Sequence, residues 1–150
     1  MTRKLSHIGI SVASLDRSIL FYQQLLGAEV MVEGPFEGRD YGRILRLESP
    51  AGRVALLKAG DIELELFEFA HPIPEPMSHD RPVCNHGITH FCIEVANIDE
   101  EYERLSRCGV IFHCAPMEFF GTAKATYGRD PDGNVFELVQ VLDPAPAVAG

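Results

Sequence analysis

The segment His7-Ile8-Gly9-Ile10-Ser11-Val12-Ala13 returns 83 residues later as His90-Phe91-Cys92-Ile93-Glu94-Val95-Ala96. From His7/His90 to Asp16/Asp99, five of ten positions are identical: the histidine, Ile10/Ile93, Val12/Val95, Ala13/Ala96 and the aspartate. Chance at ordinary residue frequencies gives fewer than about one. Each copy is answered downstream by a Glu-Leu-apolar triplet, Glu65-Leu66-Phe67 and Glu137-Leu138-Val139. Such a repeat restricts the chain to two copies of one supersecondary unit.

Both copies read alike. Residues 5–13 alternate as a strand, with Ile8, Ile10 and Val12 on one face and His7, Gly9 and Ser11 on the other. Ser14 suits a helix N-cap, Leu15, Ile19, Tyr22 and Leu26 recur at helical spacing, and Gly27 ends the helix. In the second copy Asn97 caps, Glu100 completes a capping box, Ile98, Tyr102 and Leu105 form the buried stripe, and Gly109 closes it. Further strands are expected at 28–33, 43–48, 53–58, 62–69, 110–113, 123–128 and 134–141, with turns at 49–52 and 130–134. The pattern is βαβββ twice, an α+β arrangement with helices outside curved sheets. Residues 1–70 form the first module and 87–142 the second; the proline-rich stretch 71–86 is an extended linker and 143–150 a frayed tail.

Composition narrows the functional classes. A net charge of −9 repels nucleic-acid and anionic-lipid phosphates, so neither is an expected partner. No apolar run approaches the roughly 20 residues that cross a bilayer, and the first residues lack the apolar core of a signal peptide. A cytoplasmic location is the default expectation. Cys84, Cys92, Cys108 and Cys114 show no paired or zinc-finger spacing and read as buried free thiols.

The repeat also concentrates the chemistry. Alternation puts Glu65 on the face of Phe67 and Phe69, and Glu137 on the face of Val135 and Val139. A carboxylate on an apolar row is costly unless it meets a cation or a proton. Two imidazoles and two carboxylates at matched places, His7, Glu65, His90 and Glu137, suit one borderline divalent ion: Zn, Ni, Co, Mn or Fe. Such an ion would act as a Lewis acid on substrate oxygens, and a glutamate loosened from it would accept a proton. His86, four residues ahead of His90, is the competing imidazole; His71, His79 and His113 lack partners and read as surface or loop residues. Residues 119–122 read as a loop. With Lys124, Tyr127, Arg129, Tyr41, Arg43 and Arg46 they are pocket candidates, though solubility or cross-strand pairing suffices for each.

With His7–Val12, Phe21–Gly27, Glu65–Phe69, His90–Val95 and Asp130-Pro131-Asp132-Gly133-Asn134-Val135-Phe136-Glu137-Leu138 in view, the chain resembles the vicinal oxygen chelate superfamily. Glyoxalase I, methylmalonyl-CoA epimerase, extradiol dioxygenases and the fosfomycin and bleomycin resistance proteins belong to it. The resemblance implies paired βαβββ modules forming an open curved barrel of eight strands around a metal, with His7, Glu65, His90 and Glu137 on the ligand positions. It implies a metal-dependent lyase or isomerase acting on a small molecule, with Glu137 as the proton-moving base and Glu65 as the second candidate. A non-haem Fe(II) extradiol-type dioxygenase, which needs no acid at Glu65, and a non-catalytic drug-binding resistance protein are the alternatives. A homodimer with each site built within one chain is the expected assembly.

Overall fold

A computed structural model describes residues 3–142, in two compact units that meet at Pro76 and Met77. The first contains β1 (His7–Ser11), α1 (Leu15–Leu26), β2 (Glu29–Glu37), α2 (Arg39–Leu45), β3 (Ala51–Ala59) and β4 (Ile62–His71). Its sheet runs β1-β4-β3-β2, with β1 parallel to β4 and the other pairs antiparallel. The second contains β5 (Phe91–Glu94), α3 (Ile98–Arg107), β6 (Ile111–Phe112), β7 (Met117–Phe119), β8 (Ala123–Arg129) and β9 (Val135–Val141). Its order is β5-β9-β8-β6, with β7 also on β8 and β5 parallel to β9. The fold is α+β, as the repeat requires. No helix among the described residues is long and apolar enough to cross a membrane.

Local sequence explains both long helices. Ser14 is extended, its hydroxyl accepts from the Arg17 N–H, and left-handed Gly27 returns its N–H to the Gln23 carbonyl. Leu15, Ile19, Tyr22 and Leu25 are buried; Leu25 rather than Leu26 completes the stripe, Leu26 being half-buried. Asn97 Oδ1 accepts from the Glu100 N–H at 3.3 Å, and Ile98 and Leu105 are fully buried. Tyr102 is half-buried, its ring packed on Phe112.

Three expectations are corrected. Residues 43–48 are not a strand: α2 ends at Leu45, and left-handed Arg46 returns its N–H to the Gly42 carbonyl. Gly38, at φ 100°, turns the chain out of β2, and the bare Cα of Gly42 admits the Leu47 carbonyl. Tyr41 and Arg43 therefore stand on a helix, and Ala51 and Gly52, expected in a turn, open β3. Second, nine strands occur among the described residues instead of eight, because Met117–Phe119 pairs with Ala123–Ala125. The expected loop is that hairpin's tip, with Phe120 and Gly121 both at positive φ, a conformation that matches the strand twist. Third, all four cysteines are exposed. Cys92 lies on the sheet face opposite half-buried Phe91 and Ile93, and Cys108 caps α3 at the surface.

The duplication extends to side chains that latch helix to sheet. Glu68, three residues past Glu65, accepts the Leu15 N–H at the start of α1; Gln140, three past Glu137, accepts the Ile98 N–H at the start of α3 at 3.0 Å. Val12 and Val95 each donate at 2.8 Å to Phe67 and Val139. Asp16 pairs with Arg53 and Asp99 with Lys124, and these cations stand opposite Glu68 and Gln140 in register. Glu68→Ala or Gln140→Ala leaves a helix-start N–H without its acceptor and is expected to cost about 1 kcal/mol in urea denaturation. An unchanged midpoint in both would show that solvent replaces the latch.

Candidate metal centre

Register places the expected ligands. In the first unit Glu65 stands opposite Gly9, two residues past His7; in the second Glu137 stands opposite Cys92, two past His90. Each histidine and glutamate thus share a sheet face as diagonal neighbours, within reach of long side chains. Gly9 places no side chain beside Glu65, and Cys92 places a short thiol beside Glu137. The helices cover the other face: α1 packs on β3 and β4, and α3 on β9.

The side chains meet in pairs. His7 Nε2 lies 3.6 Å from Glu65 Oε2, and His90 Nε2 lies 3.0 Å from Glu137 Oε2. Two donors bound at about 2.0–2.2 Å to one ion, at angles between a right angle and the tetrahedral value, stand roughly 2.8–3.6 Å apart. Both pairs satisfy that test. No group of three or more His, Cys, Asp or Glu side chains that could hold an ion occurs among the described residues. Each unit therefore presents one imidazole and one carboxylate.

The second pair is the better enclosed. Side-chain exposure is 27% for His90 and 17% for Glu137, against 48% for His7 and 34% for Glu65. Thr89 Oγ1 lies 3.0 Å from His90 Nδ1 and can accept its proton, which leaves the Nε2 lone pair toward Glu137. Tyr127, opposite Glu137 in the β8–β9 ladder, sets its ring edge-on to His90 at 4.9 Å. Burial, and then the negative charge of the Glu137 carboxylate opposite it in the ladder, push the Tyr127 phenol up. Although Cys92 is exposed as a residue, the partial burial of its thiol and the same carboxylate push it up to about 11.

The remaining candidates are placed as follows. His113 is exposed in a bend, as expected, but it has a partner: its ring stacks on Tyr127 at 6.4 Å, and partial burial followed by Arg129 pushes its imidazole down. His86 is exposed, and its carbonyl accepts from Arg81. Lys124 pairs with Asp99, and Arg129 donates to the carbonyls of Gly133 and Arg81. In the first unit Phe36, Phe67 and Phe69 pack together, with Tyr41 on Phe36. Arg43 lines a shallow cleft beside α2 with Arg39 and Glu37. The sequence signal for Tyr127 was its parity: ten residues before Glu137 across a turn, it lands opposite that glutamate.

Comparison with known proteins agrees with this architecture. The family model described as the Glyoxalase/Bleomycin resistance protein/Dioxygenase superfamily matches residues 4–138. A lactoylglutathione lyase of Neisseria meningitidis is 28% identical over 142 residues, covering 91% of this chain and 90% of the relative. The human mitochondrial methylmalonyl-CoA epimerase is 27% identical over 103 residues, covering 64% of this chain and 48% of the relative. Among solved structures, a glyoxalase family protein from Bacillus cereus superposes with a TM-score of 0.86 at 24% identity, covering 95% of this chain and 97% of that one.

Proposed function

Because this chain belongs to the Glyoxalase/Bleomycin resistance protein/Dioxygenase superfamily, we propose that it is a divalent-metal-dependent lyase or isomerase. Its substrate is a small molecule with a carbonyl that passes through an enediolate. His7, Glu65, His90 and Glu137 hold the ion. The observation that carries this reading is the pair of matched His–Glu contacts at 3.6 and 3.0 Å, repeated at one ladder offset in both units. The similarity to a lactoylglutathione lyase and to an epimerase supports the reaction class.

When bound, the ion supplies Lewis acidity toward substrate oxygen atoms. The chain supplies the rest. Glu137 moves the proton at the carbon beside the carbonyl, with Glu65 as the second candidate. The retained Glu65 favours this reading over ring cleavage by Fe(II), which the resemblance associates with a three-ligand set lacking an acid there.

The test is metal content and enolisation together. Purified protein is expected to retain close to one ion of Zn, Ni, Co, Mn or Fe per set of four ligands and to melt higher when reloaded after chelation. Candidate hemithioacetals and 2-substituted acyl thioesters in deuterated water should exchange the proton beside the carbonyl, as read by NMR. Protein that holds no ion and gains no thermal stability from any of the five overturns the proposal. Oxygen uptake with catechols, without exchange, would move it to the dioxygenase branch.

A further inference from the structure

The two half-sites are built from one repeat but are not equivalent. Across from Glu65, the place that Tyr127 holds opposite Glu137 is taken by Leu56. Leucine has no hydrogen to donate, so Glu65 lacks the phenol that Glu137 has. The imidazoles differ in the same direction. His90 has Thr89 at its Nδ1 and the Tyr127 ring at its edge, whereas His7 makes no side-chain polar contact except Glu65 among the described residues.

Tyr127 is itself held firmly. The His113 N–H donates to its carbonyl at 2.7 Å, and the His113 ring lies nearly parallel behind it, at 14°. Two residues on, Arg129 is fixed by its two bonds to the Gly133 and Arg81 carbonyls. Groups that orient metal ligands work by removing the freedom a ligand would otherwise lose on binding. Those groups are concentrated on the second half-site.

We propose that Tyr127 is a positioning residue: from its place opposite Glu137 its phenol orients that carboxylate and its ring fixes His90, so that the His90–Glu137 pair holds a divalent ion more tightly than the His7–Glu65 pair. This rests on the metal-dependent reading above. Tyr127 touches no reacting atom in this role. It acts through the two ligands, and Leu56 has no such capacity.

The experiment compares the full-length wild-type protein with Tyr127→Phe, using Co(II) alone as the probe. Phenylalanine keeps the ring against His90 and His113 and removes only the hydroxyl, so the metal-free variant is expected to melt with the wild type. Co(II) affinity is expected to fall about 10–100-fold, the usual effect of losing a group that orients a ligand. The visible Co(II) absorption band should shift as the carboxylate changes its presentation, a signature that a packing role would leave alone. Tyr127→Leu, which copies the first half-site, should lose at least as much. Equal Co(II) affinity and an unchanged spectrum in Tyr127→Phe overturn the positioning role while leaving metal dependence intact. Failure of the wild type to bind Co(II) overturns the metal reading on which it rests.

Discussion

His90→Ala is expected to abolish tight binding of a divalent ion, and His7→Ala to weaken it by roughly tenfold less. A structural zinc site with four protein ligands is worth about 10–16 kcal/mol, or about 2.5–4 kcal/mol per ligand, a factor of about 70–900 in affinity. That full loss is expected at His90, whose partner Glu137 is enclosed and left facing an empty imidazole position 3.0 Å away. His7 and Glu65 are more exposed and wider apart, so water can replace a lost imidazole there at lower cost. Titration with Co(II), followed by absorbance or heat, reads both constants. Equal losses would remove the difference between the two pairs; no loss from either substitution would remove the histidines from the proposed ligand set.

The second large effect lies in the packing beneath Glu137. Phe136 is fully buried, with the rings of Phe91 and Phe112 at 6.3 and 5.9 Å, and the Cζ end of its ring fills the place where Gly128 lacks a side chain. A Cβ at position 128 would stand 2.5 Å from Phe136 Cζ and 2.9 Å from Cε1. A rigid ring in a filled core cannot yield by that much, so Gly128→Ala is expected to cost about 1–3 kcal/mol through overpacking. Phe136→Ala opens a cavity and costs about 3–5 kcal/mol, a large share of a typical domain's stability. The double variant Gly128→Ala/Phe136→Leu should be more stable than the sum of its singles predicts, because the smaller side chain relieves the clash. Chemical denaturation measures all of these. Strict additivity would show that the ring moves aside freely.

Much of this was legible in the sequence because duplication and alternation act locally. The pairing of His7 with Glu65 and of His90 with Glu137 needed only matched positions and strand parity to be anticipated, and Ser14, Gly27 and Asn97 announced helix ends through cap chemistry. What escaped depended on partners distant along the chain. The segment after Gly38 carries too few apolar residues for its periodicity to separate a strand from a seven-residue helix. Met117–Phe119 becomes a strand through pairing with Ala123–Ala125, and nothing in its own composition requires it. The clamp of Tyr127 and His113 on the second half-site is a product of ladder register, which propensity does not encode. Cysteine composition suggested burial, and only the placement of each residue in the fold, such as Cys92 on its sheet face and Cys108 at the end of α3, reverses it.

The latches at Glu68 and Gln140 have a consequence for how each unit reaches its native alignment. A strand alternates its faces, so a residue and the one three positions on point to opposite sides. In β4 and β9 that spacing sends Glu65 and Glu137 to one side and their latching partners to the helix side. A slip of one residue against the neighbouring strand would turn Leu66 or Leu138 toward the ligand side and withdraw the acceptor from the helix start at the same moment. Misaligned ladders are therefore penalised twice, once at each face. The helix contact thereby proofreads the placement of Glu65 and Glu137 on the face they share with His7 and His90.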